Sequence, residues 1–217
     1  TMSLNRNQVI VLQAGYSHIF ATDASAMRAN CSCTLIRCRD GTNIIVDTFT
    51  AWDGEHLTSL LAAQGLQVDD IHVVICTHGH SDHVGCNYLF RRARLHMIGS
   101  CASKHDLYFD HEGALDANGE VLVENTPGHT LSCVSVLVHN TQLGGTVGVC
   151  GDLFERCEDV DDENIWLTAG SENEKSQVQE RYRMAQLCSF IVPGHGPMFA
   201  VDELICAKLK QLAEKYA

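Results

Sequence analysis

The segment Thr77-His78-Gly79-His80-Ser81-Asp82-His83 follows directly on the apolar run Ile71–Cys76 and constrains this chain more than any other feature. A buried strand that empties into a tight polar loop is where α/β architectures expose their chemistry. If the chain stays extended, His78 and His80 point to the same side. Asp82 and His83, one turn later at the start of a helix, can turn into the same space. Four ligand-type side chains on so short a segment crowd a single tetrahedral ion, so the spacing points to two ions. Three more such residues sit at strand–loop junctions: His129 in Thr126-Pro127-Gly128-His129-Thr130, Asp152 in Cys150-Gly151-Asp152, and His195 in Pro193-Gly194-His195-Gly196-Pro197. Each follows a glycine, which lets the backbone come close to a crowded centre. Five imidazoles and two carboxylates suit zinc, and iron or manganese less exclusively. A lone histidine in a turn is usually a surface or satisfied core residue, but four such junctions arising together point to a metal. A structural zinc site would be cysteine-rich and closed, and no cysteine stands beside His78–His83.

At 217 residues the chain reads as one domain over 2–217, with Thr1 ahead of Met2 left outside the reading. The longest apolar stretches, Val9–Leu12 and Val134–Val138, have strand length, far from the roughly 20 residues that span a bilayer. No membrane association is expected, and the first residues lack a signal-peptide pattern. The net charge of −12 disfavours non-specific binding to nucleic acid or anionic membrane. Eleven cysteines, an odd count without small-domain spacing, suggest free thiols in a reducing compartment such as the cytosol. Cys31 and Cys33 share one face of an alternating strand, and Cys76 and Cys150 lie in apolar runs. Buried thiols are therefore expected, and a Cys31/Cys33/Cys38 metal cluster is the lesser reading. Self-association into a homodimer stays open.

Strands are expected at Gln8–Ala14, Cys31–Cys38, Asn43–Thr48, Ile71–Cys76 and Leu95–Ile98. A helix spans Trp52–Gln64 and stops at Gly65, and another begins between Gly85 and Arg92. Ser100–Gly119 reads as a loop. Strands at Glu120–Asn125, Leu131–His139 and Gly145–Cys150 follow, then a helix at Glu174–Leu187, a short strand at Phe190–Val192 and a closing helix at Val201–Tyr216. Two groups of strands, each followed by helices, predict an α/β fold in which two sheets face each other, a four-layer αββα sandwich.

The pattern His-x-His-x-Asp-His, then Gly-His, Gly-Asp and Gly-His, resembles the metallo-β-lactamase superfamily across nearly the whole chain. The resemblance implies that His78, His80 and His129 hold a first metal and Asp82, His83 and His195 a second, with Asp152 bridging both. Asp47 in Ile45-Val46-Asp47-Thr48 matches the superfamily's early strand-end aspartate, which orients a ligand loop. Many true β-lactamases have a cysteine at the bridging position, so Asp152 argues against antibiotic hydrolysis. Flavodiiron proteins have a glutamate where His80 stands, which argues against oxygen reduction. Glyoxalase II adds a C-terminal helical domain for which this chain is expected to end too soon. The RNA-processing nucleases with an inserted domain are far longer. The stretch Gly148–Arg156, the acidic run after it with Trp166, and Val192–Phe199 are similar to one small, single-domain branch of the superfamily. That branch is cytosolic or nuclear and associated with endonucleolytic cleavage of histone pre-mRNA 3′ ends, so the resemblance implies RNA as substrate.

A water shared between two zinc ions would ionise near neutral pH and attack phosphorus or a carbonyl carbon as hydroxide. Asp82, besides being a ligand, is placed to accept the proton or orient that nucleophile. The centre would keep a net positive charge and attract a phosphodiester locally. Glu155, Glu158, Asp159, Asp161, Asp162 and Glu163 read as a solvated acidic loop, which would repel a polyanion if it bordered the cleft. Arg91, Arg92 and Arg94 with Lys104 and His105 form the one basic grouping, which an exposed helix end explains equally well. Three alternatives are a thioester hydrolase of the glyoxalase II type, a mono-iron persulfide dioxygenase using only the first site, and a catalytically idle metal-binding module.

Overall fold

The structure, a computed structural model, describes residues 5–20 and 22–217. The first half holds strands β1 (Gln8–Gln13), β2 (Tyr16–Phe20), β3 (Asp23–Asn30), β4 (Cys33–Arg37) and β5 (Asn43–Val46), then helix α1 (Gly54–Ala63). Strand β6 (Val73–Cys76), the single-turn helix α2 (Ser81–Val84), β7 (Leu95–Ile98), β8 (Cys101–Lys104) and β9 (Leu107–Phe109) follow. The second half holds β10 (Val121–Asn125), β11 (Val134–Val138), β12 (Val147–Gly151), α3 (Glu163–Ala169) and α4 (Glu174–Leu187). It closes with β13 (Phe190–Pro193), β14 (Phe199–Ala200) and α5 (Glu203–Lys215).

Side-chain alternation sorts these strands into layers. In the seven-stranded sheet, ordered β1-β4-β5-β6-β7-β8-β9, Ile44, Val46, Val73 and Ile75 face inward to a core shared with the second sheet. Their neighbours Ile45, Val74 and Cys76 point the other way, onto Leu57 and Leu61 of α1. In the five-stranded sheet, β10 to β14 in order, Val134, Val136, Val147 and Val192 complete the shared core. Leu137, Cys150 and Ile191 point outward onto Met184 of α4 and Leu209 of α5. The central strands of both sheets are thus covered on both faces, which is why they read as continuous apolar runs. Each such buried aliphatic side chain contributes about 1.5–3 kcal/mol. The four layers are those the sequence predicts.

Chain direction brings the strand ends together. β5, β6 and β7 run parallel, so Asp47 and His78 emerge at one end of the first sheet. β12 and β13 also run parallel, delivering Asp152 and His195 from the second.

Several expectations are corrected. Tyr16–Asn30, unassigned from sequence, holds the hairpin β2–β3. The loop expected over Ser100–Gly119 contains β8 and β9, an antiparallel edge in which Ala102 of β8 reaches the shared core and every side chain of β9 is exposed. The helix expected from Gly85 to Arg92 is limited to a 3₁₀ turn at Asn87–Leu89. Gly85 explains this. Its amide donates to Phe49 O, and a Cβ there would lie 2.2 Å from the Ala51 nitrogen, so it anchors a crossing of two loops rather than a helix.

The acidic run is not a solvated loop. Glu155 and Asp159 are buried, and Asp159 pairs with buried Arg181 at 2.5 Å. Asp161 meets Lys208 at 2.5 Å, Glu163 meets Lys215 at 2.7 Å, and Asp162 caps α3. Eight cysteines are buried, Cys31 and Cys33 together under α1, and all eleven are free thiols. Among the described residues no helix is long and apolar enough to cross a membrane.

Candidate metal centre

All seven ligand-type residues converge at the shared end of the two sheets. Their donor atoms fall into two groups, one of His78, His80, His129 and Asp152, the other of Asp82, His83 and His195, with donors within 4.8 Å of one another in each. Asp152 sits between them. Its Oδ2 lies 3.6 Å from His78 Nε2, 3.4 Å from His129 Nε2 and 3.2 Å from His195 Nε2, and its Oδ1 lies 3.2 Å from His83 Nε2. Asp82 Oδ2 is 3.8 Å from His83 Nε2 and 3.7 Å from His195 Nε2. On the other side, His80 Nδ1 and His129 Nε2 are 3.0 Å apart.

Backbone and polar partners fix which nitrogen each ring presents. His129 Nδ1 donates to Gly170 O at 2.7 Å, and His195 Nδ1 is 3.1 Å from both Tyr16 O and Asn30 O. His83 Nδ1 meets Asp47 Oδ2 at 3.0 Å. The Thr77 hydroxyl donates to Asp47 and lies 3.2 Å from His78 Nδ1. In all four rings Nδ1 is engaged behind the ring and Nε2 faces Asp152, an arrangement that prepares imidazole for a metal. Asp47 also accepts the Thr77 amide at 2.7 Å, from a backbone with φ of 60°. That left-handed turn, unusual for a residue other than glycine, aims its carboxylate back beneath the histidines.

His78 Nε2, His83 Nε2 and Asp152 Oδ1 are buried without any hydrogen-bond partner. Each unpaired buried polar atom costs about 1–3 kcal/mol, and three in one cluster are explained by cations that would satisfy them. The residues fit divalent metal. Burial pushes the pKa values of His78 and His129 down, keeping both rings neutral for coordination. Burial opposes charge on His83 and His195 as well, but Asp152 outweighs it, with Asp47 helping at His83 and Glu155 at His195, which rises to about 9. Burial likewise works against the Asp152 carboxylate, and the surrounding histidines overcome it and hold its pKa well below the usual range.

Gly194 meets the requirement for close approach, because a Cβ there would lie 1.8 Å from Asp152 Oδ1. Gly128 does not serve this end; a Cβ there would strike Gln177 of α4. Sequence reasoning missed five contributors. The carbonyls of Tyr16, Asn30 and Gly170 carry no side-chain signature. Thr77, just past the expected strand Ile71–Cys76, was assigned no role. Glu155, counted only as one acid of a run, is buried beside Asp152 and His195, where burial and the Asp152 charge push its pKa up to about 8.

Comparison with known proteins places this arrangement. Residues 27–195 match the model of the metallo-beta-lactamase superfamily. Metallo-beta-lactamase domain-containing protein 1 of Xenopus laevis is 39% identical over 201 residues, covering 90% of this chain and 82% of that protein. Its counterpart in Homo sapiens is 42% identical over 163 residues, covering 73% of this chain and 59% of the human protein, so the match spans less than two thirds of that relative. A metallo-beta-lactamase structure from Pseudomonas aeruginosa, 19% identical, superposes with a TM-score of 0.57 and covers 93% of this chain and 89% of its own. With the fold, the ordering of the ligand-type residues along the chain and the sequence matches all in agreement, the chain belongs to the metallo-beta-lactamase superfamily.

Proposed function

We propose that this protein is a metal-dependent hydrolase that binds two divalent ions, zinc by its donor set, and cleaves phosphodiester bonds in RNA. The observation that carries the dinuclear reading is the position of Asp152, whose two oxygens face histidine nitrogens of both ligand groups. His78, His80 and His129 would hold one ion and Asp82, His83 and His195 the other. Five imidazoles with two carboxylates favour zinc over harder metals. Bound there, the ions would supply a water acidified toward neutral pH and an electrophilic contact for the oxygen of the scissile group.

The side chains define the remaining work. Asp47, Thr77 and the carbonyls behind His129 and His195 hold the rings in a single tautomer. Asp82, with its side chain 17% exposed, is the least covered carboxylate of the centre and lies beside exposed His80. It is placed to orient the attacking water and take its proton. In the reaction the water oxygen bonds to phosphorus, the ester P–O bond breaks, and the proton passes to the leaving oxygen. RNA as substrate, in particular the 3′ end of histone pre-mRNA, is supported by the likeness to the branch associated with that cleavage. Asp159, Asp161 and Glu163 each have a basic partner, so the acidic run repels a polyanion less than its composition suggests.

The test compares one preparation on a single-stranded oligoribonucleotide and on S-lactoylglutathione, with and without chelator. RNA cleavage that chelator abolishes is expected. Chelator-sensitive thioester cleavage with no RNA cleavage would replace this substrate with that of the glyoxalase II type.

A further inference from the structure

Three residues of the basic grouping noted in the sequence, Arg91, Lys104 and His105, line a cleft, while Arg92 and Arg94 do not. Arg91, His96, Lys104 and His105, with Asn87 and Ile98 among their neighbours, line a cleft of about 520 Å³ on the outer face of β7 and β8. Alternation explains its position. Leu95 and Met97 of β7 turn into the shared core, so His96 and Ile98 turn outward, where α1 no longer covers the sheet. The volume falls within the roughly 300–1,000 Å³ of ligand sites.

The cleft is electropositive in a protein of net charge −12, and no carboxylate lines it. Arg91 is exposed and makes no ion pair or hydrogen bond with another described residue. Its neighbour Arg92, by contrast, is paired with Asp69 at 3.3 Å. Lys104 Nζ donates to Ala93 O at 3.1 Å, which uses one of its three donors and holds the ammonium in place. His96 Nε2 likewise donates to Phe90 O at 2.9 Å. The position of the cleft relative to the metal centre is equally specific. Ile98 ends β7 at the same edge where His78 leaves β6, and a Cβ on Gly79, between His78 and His80, would lie 3.8 Å from Ile98 Cγ2. The cleft therefore starts beside the loop that carries His78 and His80, and no residue of the acidic run lines it.

We propose that this cleft binds the phosphate backbone of single-stranded RNA adjacent to the scissile bond, with Arg91 and Lys104 as the phosphate contacts. This rests on the reading of the centre as an RNA phosphodiesterase and adds the surface that holds the strand. Arginine and lysine contacts to phosphate position a strand without reading its sequence. Only two firm cations line the cleft, so binding is weak and strongly salt-dependent. For single strands log K falls with log salt by about 0.7 per phosphate contact.

The probe is a fluorescein-labelled single-stranded oligoribonucleotide, with anisotropy measured across a salt series on zinc-loaded protein and cleavage measured in parallel. Arg91→Ala with Lys104→Gln is expected to weaken binding about tenfold at low salt and flatten the salt slope by about 1.4. Arg91→Ala alone, an exposed change that leaves the fold intact, is expected to flatten it by about 0.7. Arg92→Ala should leave the slope unchanged, and metal content should match the wild type in all three. Wild-type protein that binds no RNA at low salt, or a double variant with the wild-type affinity and slope, overturns the cleft assignment. Binding that depends on Arg91 and Lys104 without cleavage leaves the cleft standing and removes the proposed reaction. Cleavage with binding indifferent to both residues does the reverse.

Discussion

Asp152 is surrounded by more of the site than any other residue. Its oxygens lie 3.2–3.6 Å from the Nε2 atoms of four histidines, so removing the carboxylate leaves those rings facing one another. Asp152→Ala should reduce metal below two ions per chain. Activity should fall by at least the roughly 10–100-fold typical of losing an outer partner; two ions retained at full occupancy would deny it the shared position. Asp47 acts one layer further out, through His83 and Thr77. Asn tolerates its left-handed backbone, so Asp47→Asn should keep the fold while metal affinity drops about 10–100-fold, as read by chelator competition. Protons compete for the same nitrogens. His195, lifted to about 9 in the metal-free protein by Asp152 and Glu155 against its burial, is protonated at neutral pH. Metal must displace that proton, so affinity should rise as pH goes from 6 toward 9, with proton release measurable in weak buffer. A flat profile would mean His195 stays outside the metal shell.

At the scale of elements, the last parallel strands and α4 carry the second sheet's half of the centre. The buried Arg181–Asp159 pair ties α4 to the segment after Asp152, with Arg181 Nη1 also donating to Leu153 O at 3.0 Å. Removing one partner of a buried pair costs about 3–5 kcal/mol, so Asp159→Ala should lower the free energy of unfolding by that amount, read from urea denaturation; a change under about 1 kcal/mol would show the pair to be dispensable. What the sequence revealed follows the same division. The ligands were legible because imidazole and carboxylate at strand ends are rare combinations, and the layers because Val and Ile runs are buried on both faces. The hairpin β2–β3 was not, since it serves the site through the carbonyls of Tyr16 and Asn30, which any residue would supply. The edge β8–β9 was hidden because only Ala102 of its side chains is buried, and α3 by its Asp162 cap, which composition presents as one more surface acid.

For the whole molecule, the candidate metal centre draws ligands from both sheets, which also meet through the shared apolar core and through hydrogen bonds such as Val134 N to Thr77 O at 2.9 Å. Ions that bind only the folded state at a hundredfold excess over Kd add about 2.7 kcal/mol. Chelation should therefore lower Tm by about 5–10 °C for a chain of this size, and an unchanged Tm would mean the ligands do not hold metal across the two sheets. Elemental analysis of protein purified without added metal tests the dinuclear assignment most directly. Two zinc ions per chain, falling below two in Asp152→Ala, is the expected result. A single iron per chain would contradict it and select oxygen chemistry at the His78, His129 and Asp152 group instead.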